Sequence, residues 1–392
     1  MTINIRPEIN TIKDEIINLR RHIHQHPELG YEEHNTAKLI SDRLFDYGIE
    51  VSTGIGKTGV VGLLHGNDDG HCIGLRADMD ALPIQETGDL PFKSVNDSVM
   101  HACGHDGHVA MLLGAAKVLS EKKDQLKGSV KFIFQPAEEG GFGARAMIED
   151  AVLENPTVDE MYGIHLWNYQ PFGTIGVQAG PVLAAADIFS ITITGKGGHG
   201  AAPHTSVDAI VVASQLINAL QTIVSRNINP LESGVVSIGK INGGHNFNII
   251  ADKVILRGTA RAYSEEIRQM IKNRMEEIIS GISSTFGAKI QLDYQDGYPA
   301  TINSEIESEK VKESAMKILP DGVQKPYLSM GGEDFAYYLQ KVRGCFFFVG
   351  SSPDEVPLFS VPHHCSHYNI NEDALLIGAS VFVQLIEDNL IQ

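Results

Sequence analysis

Tryptophan occurs once in these 392 residues, and cysteine only four times, at positions 72, 103, 345 and 365. So few cysteines make a poor disulfide framework for a long chain, so a reduced, cytoplasmic protein is expected. No apolar run reaches the eighteen or so residues that a membrane-spanning helix needs, and none is expected to span a bilayer. The opening residues, Met1 to Pro7, lack the basic-then-apolar layout of a secretory signal. Positive charge is also short: 31 Lys and Arg stand against 49 Asp and Glu, for a formal net charge of −18. Such a surface repels phosphate backbones and anionic lipid, so neither nucleic acid nor membrane is expected as a partner. A small anionic substrate is still allowed, because bound cations would dominate the field at a site. There is no G-x-S-x-G nucleophile elbow and no G-x-x-x-x-G-K-[ST] phosphate loop. The glycine-rich run 195–200 lacks the spacing of a dinucleotide-binding turn.

What is present is alternation. Strands are expected at 59–64, 71–77, 129–134 and 160–165, with helices at 107–121 and 142–150 between them. This order predicts an α/β domain built on a helix-covered, mostly parallel sheet. After Gly180 the pattern changes to strand 187–194, helix 206–226, strands 234–239 and 253–263, helix 264–286 and strand 288–294. That β-α-β-β-α-β order is the ferredoxin-like split unit. The apolar strand 345–350 and the helix 373–389 then resume the first domain. A chain this long exceeds the usual size of one core. The expected division is a discontinuous catalytic domain, 1–182 and 296–392, with an inserted α+β lid at 183–295.

The chemistry concentrates in Cys103-Gly104-His105-Asp106-Gly107-His108, where thiol, imidazole and carboxylate share one glycine-punctuated turn ahead of a helix. Thiolate and imidazole suit zinc and its first-row neighbours. A helix N-terminus is also expected to lower the thiol pKa. Cys103 and His105 are too close to form opposite ends of one tetrahedral finger, so further ligands must arrive from elsewhere. Glu138-Glu139 follow a buried strand, where adjacent carboxylates call for a cation and suit a division into one ligand and one base. His165 ends a strand. In the segment VPHHCSH (361–367), His363, His364, His367 and Cys365 compete for one further role. Cys72 and Cys345 read as core residues. Together these residues describe a five-ligand, two-metal site.

The same residues lie in segments that resemble the amidohydrolases grouped with aminoacylases, hippurate hydrolases and indole-acetyl-amino-acid hydrolases. The matching segments are LRRHIHQHPELGYEE (19–33), GLRADMDALPI (74–84), MHACGHDGHVAMLLGAA (100–116), FQPAEEGGFGA (134–144), GIHLW (163–167), GKGGHGAAPH (195–204) and MGGEDFAYY (330–338). The resemblance runs nearly end to end. It implies two divalent metal ions per subunit, zinc or manganese first and cobalt or nickel next, held by Cys103 as the bridge with His105, Glu139, His165 and His364. Glu138 is then the general base. The family's final ligand usually opens H-x-P-x-F-D; here the run from His364 to Asn369 lacks both the proline and the aspartate. In the lid, His199 matches a histidine that enters the partner subunit's site, and Asn248 and Arg261 match positions that hold a substrate carboxylate. Arg257 lies on the same strand face as Arg261, and the motif favours Arg261. Asp78 and Asp80 are read either as second partners of ligands or as turn residues, and His24 and His26 as helix-end structure. The expected reaction is hydrolysis of the amide bond of N-acyl amino acids by a homodimer paired through its lids. A metallo-dipeptidase or carboxypeptidase acting on dipeptides is the alternative. A metal-storing module would have no use for Glu138, and thiol redox chemistry would need Cys103 reactive in the metal-loaded protein.

Overall fold

The computed structural model describes residues 2–68, 70–354 and 356–391, and the chain divides into two compact units. The first comprises Met1–Val182, Ile302–Leu328 and Asp334–Gln392. Its sheet has eight strands, in the order Glu50–Ile55, Gly59–His65, Ser129–Gln135, Cys72–Asp78, Glu160–Pro171, Gly344–Ser352, Ile175–Gly176 and Val323–Gln324. The four middle strands, from Ser129–Gln135 to Gly344–Ser352, run parallel, and antiparallel pairs flank them. This is the mostly parallel sheet expected from the alternating pattern.

Strands Cys72–Asp78, Ser129–Gln135 and Gly344–Ser352 are buried along their whole length. Central parallel strands covered on both faces must be. Helix His105–Ser120 is nearly all buried, carrying Val109, Met111, Leu112 and Leu113 into a core shared with Phe347 and Ile377. Helix Ala374–Leu390 approaches it closely at Gly378, where a Cβ would lie 2.1 Å from Met111 Sδ. Helix Lys13–Gln25 buries Ile16, Leu19 and Ile23, and also Arg20 and His24.

The register positions the site. Cys72–Asp78 pairs Asp78 with Gln135, and pairs Arg76 with Gly163 on the other side, so Asp78 and His165 are level. The carboxyl ends of three neighbouring parallel strands therefore open at one edge. Open α/β sheets place their sites at such an edge.

The second unit comprises Leu183–Thr301 and Ser329–Glu333. Its four-stranded antiparallel sheet runs in the order Gly234–Gly243, Lys253–Ala262, Ala185–Thr194 and Lys289–Tyr298. Helices Ala209–Thr222 and Glu265–Phe286 occupy the two crossovers of the β-α-β-β-α-β order. Strand Ala185–Thr194 buries alternate residues, with Phe189, Ile191 and Ile193 facing a core that includes Val212, Leu216, Leu220, Ile271 and Met275. Asp208 caps the first helix, accepting from the Ile210 and Val211 amides. Among the described residues, Ala209–Asn227 is the one helical stretch long and apolar enough to cross a membrane. One side of it supplies Ala209, Val212, Ala213, Leu216 and Leu220 to the unit's own core, the signature of an amphipathic core helix.

Candidate metal centre

Five segments of the first unit converge at the open edge of the sheet. After strand Ser129–Gln135 the chain turns at Ala137, held at φ 50°, and presents Glu138 and Glu139. Asp80 fixes that turn: its Oδ1 accepts the Glu138 amide and its Oδ2 the Glu139 amide, each at 3.0 Å. Glu33 anchors the preceding residue, accepting the Ala137 amide at 2.9 Å. Gly104, at φ 93°, brings the chain into helix His105–Ser120, and a Cβ there would lie 2.9 Å from Tyr368 Oη. His165 projects from its strand. His364, also left-handed at φ 63°, is tied by its amide to Ala102 O at 2.8 Å.

The side chains form two overlapping trios. Donor atoms of Cys103, His105 and His165 lie within 4.8 Å of one another, and so do those of Cys103, Glu139 and His364. Cys103 is the shared member. A third trio joins His105 to Glu138 and Glu139. Hydrogen bonds identify which ring nitrogens face the cluster. His105 Nδ1 donates to Asp80 O at 2.9 Å, and its buried Nε2 has no hydrogen-bond partner among the described residues. His165 Nδ1 donates to Leu166 O at 2.6 Å, leaving Nε2 3.6 Å from Cys103 Sγ. His108 has no free nitrogen: Nδ1 meets Asp78 Oδ1 at 2.5 Å, and Nε2 accepts the Leu166 amide at 2.9 Å. It braces the site instead of offering a donor. His364 Nε2 lies 2.9 Å from Glu139 Oε1, yet that buried oxygen has no aligned hydrogen bond.

The electrostatics correct one expectation. The Cys103 thiol pKa is raised well above its usual value by burial and by Glu139, Glu138 and Asp78, so the nearby helix N-terminus does not prevail. Three carboxylates around a buried sulfur make thiolate costly without a cation. Burial alone would lower the His105 pKa, but Asp78 and Asp80 hold it up to about 10. Burial, reinforced by His108, lowers that of His165. Two buried donor atoms that accept no hydrogen bond among the described residues, facing sulfur, imidazole and carboxylate in one cluster, are a donor set that fits divalent transition metals.

Around this cluster lies a buried network that sequence patterns did not reveal. Arg76 joins Asp78 at 2.7 Å and Asp334 at 3.0 Å, and Asp334 accepts from Gln135 Nε2 and from the Ala144 amide. Asp334 belongs to the segment MGGEDFAYY, whose charge was the available signal. The structure gives both aspartates at the end of strand Cys72–Asp78 orienting roles: Asp78 braces His108, and Asp80 holds the glutamate turn. His24 lies in the last turn of helix Lys13–Gln25, but its buried side chain pairs with distant carboxylates, with Nδ1 2.8 Å from Asp106 Oδ2 and Nε2 3.4 Å from Glu86. His26 does bond at the helix end, to His22 O. His367 is exposed and makes a 3.4 Å contact with Ser360 O, and Cys365 belongs to neither trio.

His199, Asn248 and Arg261 lie in the second unit. Residues 198–199 pair with 249–250, so His199 and Asn248 are neighbours, and both are exposed. His199 Nδ1 accepts the Ala201 amide at 3.0 Å. This short ladder adjoins the Lys253 end of strand Lys253–Ala262, whereas Arg261 stands at the other end. At about 3.3 Å per residue that is on the order of 26 Å along the strand. Arg261 is half-buried and bonds to Thr259 Oγ1 and the Asp187 and Ala260 carbonyls.

Known proteins similar to this chain are hydrolases and peptidases. The chain is 43% identical over 375 residues to an N-acetyl-L-cysteine deacetylase of Bacillus subtilis (strain 168), covering 96% of this chain and 88% of that one. It is 40% identical over 389 residues to a hippurate hydrolase of Campylobacter jejuni, covering 97% and 98%. A solved Bacillus subtilis structure, described as a dinuclear metal binding peptidase of the M20 family, superposes with a TM-score of 0.84 at 36% identity, covering 96% of this chain and 98% of that one. The family model for peptidase family M20/M25/M40 matches residues 74–388. This chain belongs to peptidase family M20/M25/M40.

Proposed function

We propose that the protein hydrolyses the amide bond of N-acyl amino acids, with Glu138 as general base beside two divalent ions held by Cys103, His105, Glu139, His165 and His364. The observation that carries this reading is the pair of donor trios sharing Cys103, with a second carboxylate adjoining the ligand carboxylate. Bound there, divalent ions polarise the acyl carbonyl and acidify the attacking water. Glu138 takes the proton from that water and returns it to the departing amine. Asp80 holds Glu138 and Glu139 in fixed relation, so one carboxylate binds while its neighbour moves protons. Zinc or manganese is the preferred pair, with cobalt and nickel as substitutes in a mixed sulfur, nitrogen and oxygen site.

In this reading residues 183–295 are the lid of a catalytic domain formed by 1–182 and 296–392, and the protein is a cytoplasmic homodimer paired through its lids. The separation of His199 and Asn248 from Arg261 along the lid supports this, because a small substrate cannot touch both ends of one lid. His199 and Asn248 then serve the partner's site, where Asn248 and the partner's Arg261 hold the substrate carboxylate, the arginine by paired N–H donors. His199 donates to the carbonyl oxygen as charge develops, which is worth about 3 kcal/mol for a preorganised donor. The helix face bearing exposed Ile210 and Val211, with exposed Ile241 on the edge strand, offers an apolar pairing surface.

The test is a panel of N-acetyl, N-benzoyl and longer N-acyl amino acids and plain dipeptides, assayed with each metal in turn. Turnover of the N-acyl amino acids is expected. Cleavage of dipeptides alone would instead favour the dipeptidase or carboxypeptidase reading.

A further inference from the structure

His363 is a histidine at the centre that the proposed ligand set leaves unused. Its Nδ1 lies 3.9 Å from Cys103 Sγ, and its Nε2 accepts the Asn168 backbone amide at 3.2 Å. The amide is firmly placed: Asn168 Nδ2 donates to Val361 O at 3.0 Å and Asn369 O at 2.9 Å, and its Oδ1 accepts from Ser351 Oγ at 2.8 Å. The imidazole itself is clasped by Trp167, Tyr169, Tyr368 and His165, with ring centroids 4.9 to 5.3 Å away. Because Nε2 accepts the Asn168 backbone N–H, its lone pair lies there and the ring carries its single proton on Nδ1. The nitrogen facing the sulfur is therefore a donor and has no lone pair for a cation. The left-handed turn at His364 sends the two adjacent imidazoles to different tasks, His364 to Glu139 and His363 to Cys103.

We propose that His363 is a positioning residue whose Nδ1–H donates a hydrogen bond to the Cys103 sulfur, stabilising its thiolate and setting the affinity of the shared donor for its cations. This rests on the reading of Cys103 as a metal donor. A charged sulfur attracts such a donor more strongly than a neutral thiol does, so the contact strengthens as the sulfur takes on charge. Partners of metal ligands that are hydrogen-bonded in this way typically change metal affinity by about 10–100-fold when removed.

The test uses the full-length protein loaded with cobalt(II), whose thiolate-to-cobalt charge-transfer absorption reports the electron density on sulfur. His363→Phe keeps a ring for Trp167, Tyr169 and Tyr368 to pack against but has no N–H. His363→Asn is smaller and restores a donor near the position of Nδ1. The Phe variant is expected to shift the charge-transfer band to lower energy and to weaken cobalt binding by about 10–100-fold. The Asn variant should return both towards the parent. Lost folding in the Phe variant, judged by circular dichroism, would transfer the test to His363→Leu against His363→Asn. An unmoved band and affinity in the donor-less variant would overturn the proposal, and so would an Asn variant that behaves like it. If the parent protein itself shows no charge-transfer band that Cys103→Ser removes, the reading of Cys103 as a metal donor fails instead.

Discussion

Replacing Asp80 by asparagine tests whether the catalytic turn is held from behind. The Asp80 carboxylate receives two backbone amides at 3.0 Å, those of Glu138 and Glu139, and lies 3.3 Å from His105 Nδ1. Asparagine has nearly the same shape, so the core is undisturbed, but one oxygen becomes an NH2 group. Whichever amide it faces then meets a donor and loses its acceptor. One hydrogen bond to a charged group is worth about 1.5–3 kcal/mol. Expressed as displacement of Glu139 and His105, that is a factor of about 10–150 in metal affinity, at 1.4 kcal/mol for each factor of ten. The assay is metal binding by competition with a chelator, read beside turnover at saturating metal. Affinity should fall by one to two orders of magnitude, with further loss of turnover because Glu138 is no longer aimed. An Asp80→Asn protein that binds metal and turns over like the parent would refute the clamp.

Three further outcomes follow from other contacts. Cys103→Ser should lose metal from the centre while Cys365→Ser retains it, as measured by elemental analysis, because only Cys103 belongs to both donor trios. His24 opposes burial and Arg20 with Asp106 and Glu86, which raise its pKa. Its contribution to stability is therefore full below about pH 6.5 and is lost as pH rises through the folded value. The melting temperature of the parent should decline relative to His24→Gln across that interval. In the second unit, Arg268 Nη2 and Nε lie 2.6 and 2.9 Å from Asp187, and Asp187→Asn would leave that buried guanidinium only the exposed Glu265 carboxylate at 3.4 Å, costing up to about 3 kcal/mol in denaturant unfolding. Burial works against it, yet Arg268 lowers the Asp187 pKa, so the parent's stabilisation holds above about pH 3.9 and fades as pH falls through the folded value.

The sheet was legible because its central strands are continuous apolar runs separated by glycine-rich or polar turns and helical segments. Strand Glu160–Pro171 extends six residues past the expected end because Leu166 and Trp167 remain buried beside Gly344–Ser352. Helix 206–226 yields its last turn to a π-type segment, Ile223–Asn227. Helix Lys13–Gln25 was harder to read, since its buried face includes Arg20 and His24, which a polarity pattern assigns to solvent. Their partners, Asp106 and Glu86, are distant in sequence, and only the fold brings them together. The ligand candidates were visible as residue types: a thiol and imidazole at a helix start, paired carboxylates after a strand, and a histidine within the next strand. Their division of labour was not, because it depends on which nitrogen each imidazole has already committed. His108 and His363 look like ligands in the sequence, and hydrogen bonds to the Leu166 and Asn168 amides give them other work.

The most direct measurement of the central claim is the metal content and turnover of Glu138→Gln, determined on the same preparation with an N-acyl amino acid as substrate. The amide cannot accept a proton from water, and Glu138 is not among the five proposed ligands. Metal content should match the parent while turnover falls by about 10²–10⁴-fold. Parallel loss of metal and activity would make Glu138 a ligand and contradict the assignment of base and ligand to this pair.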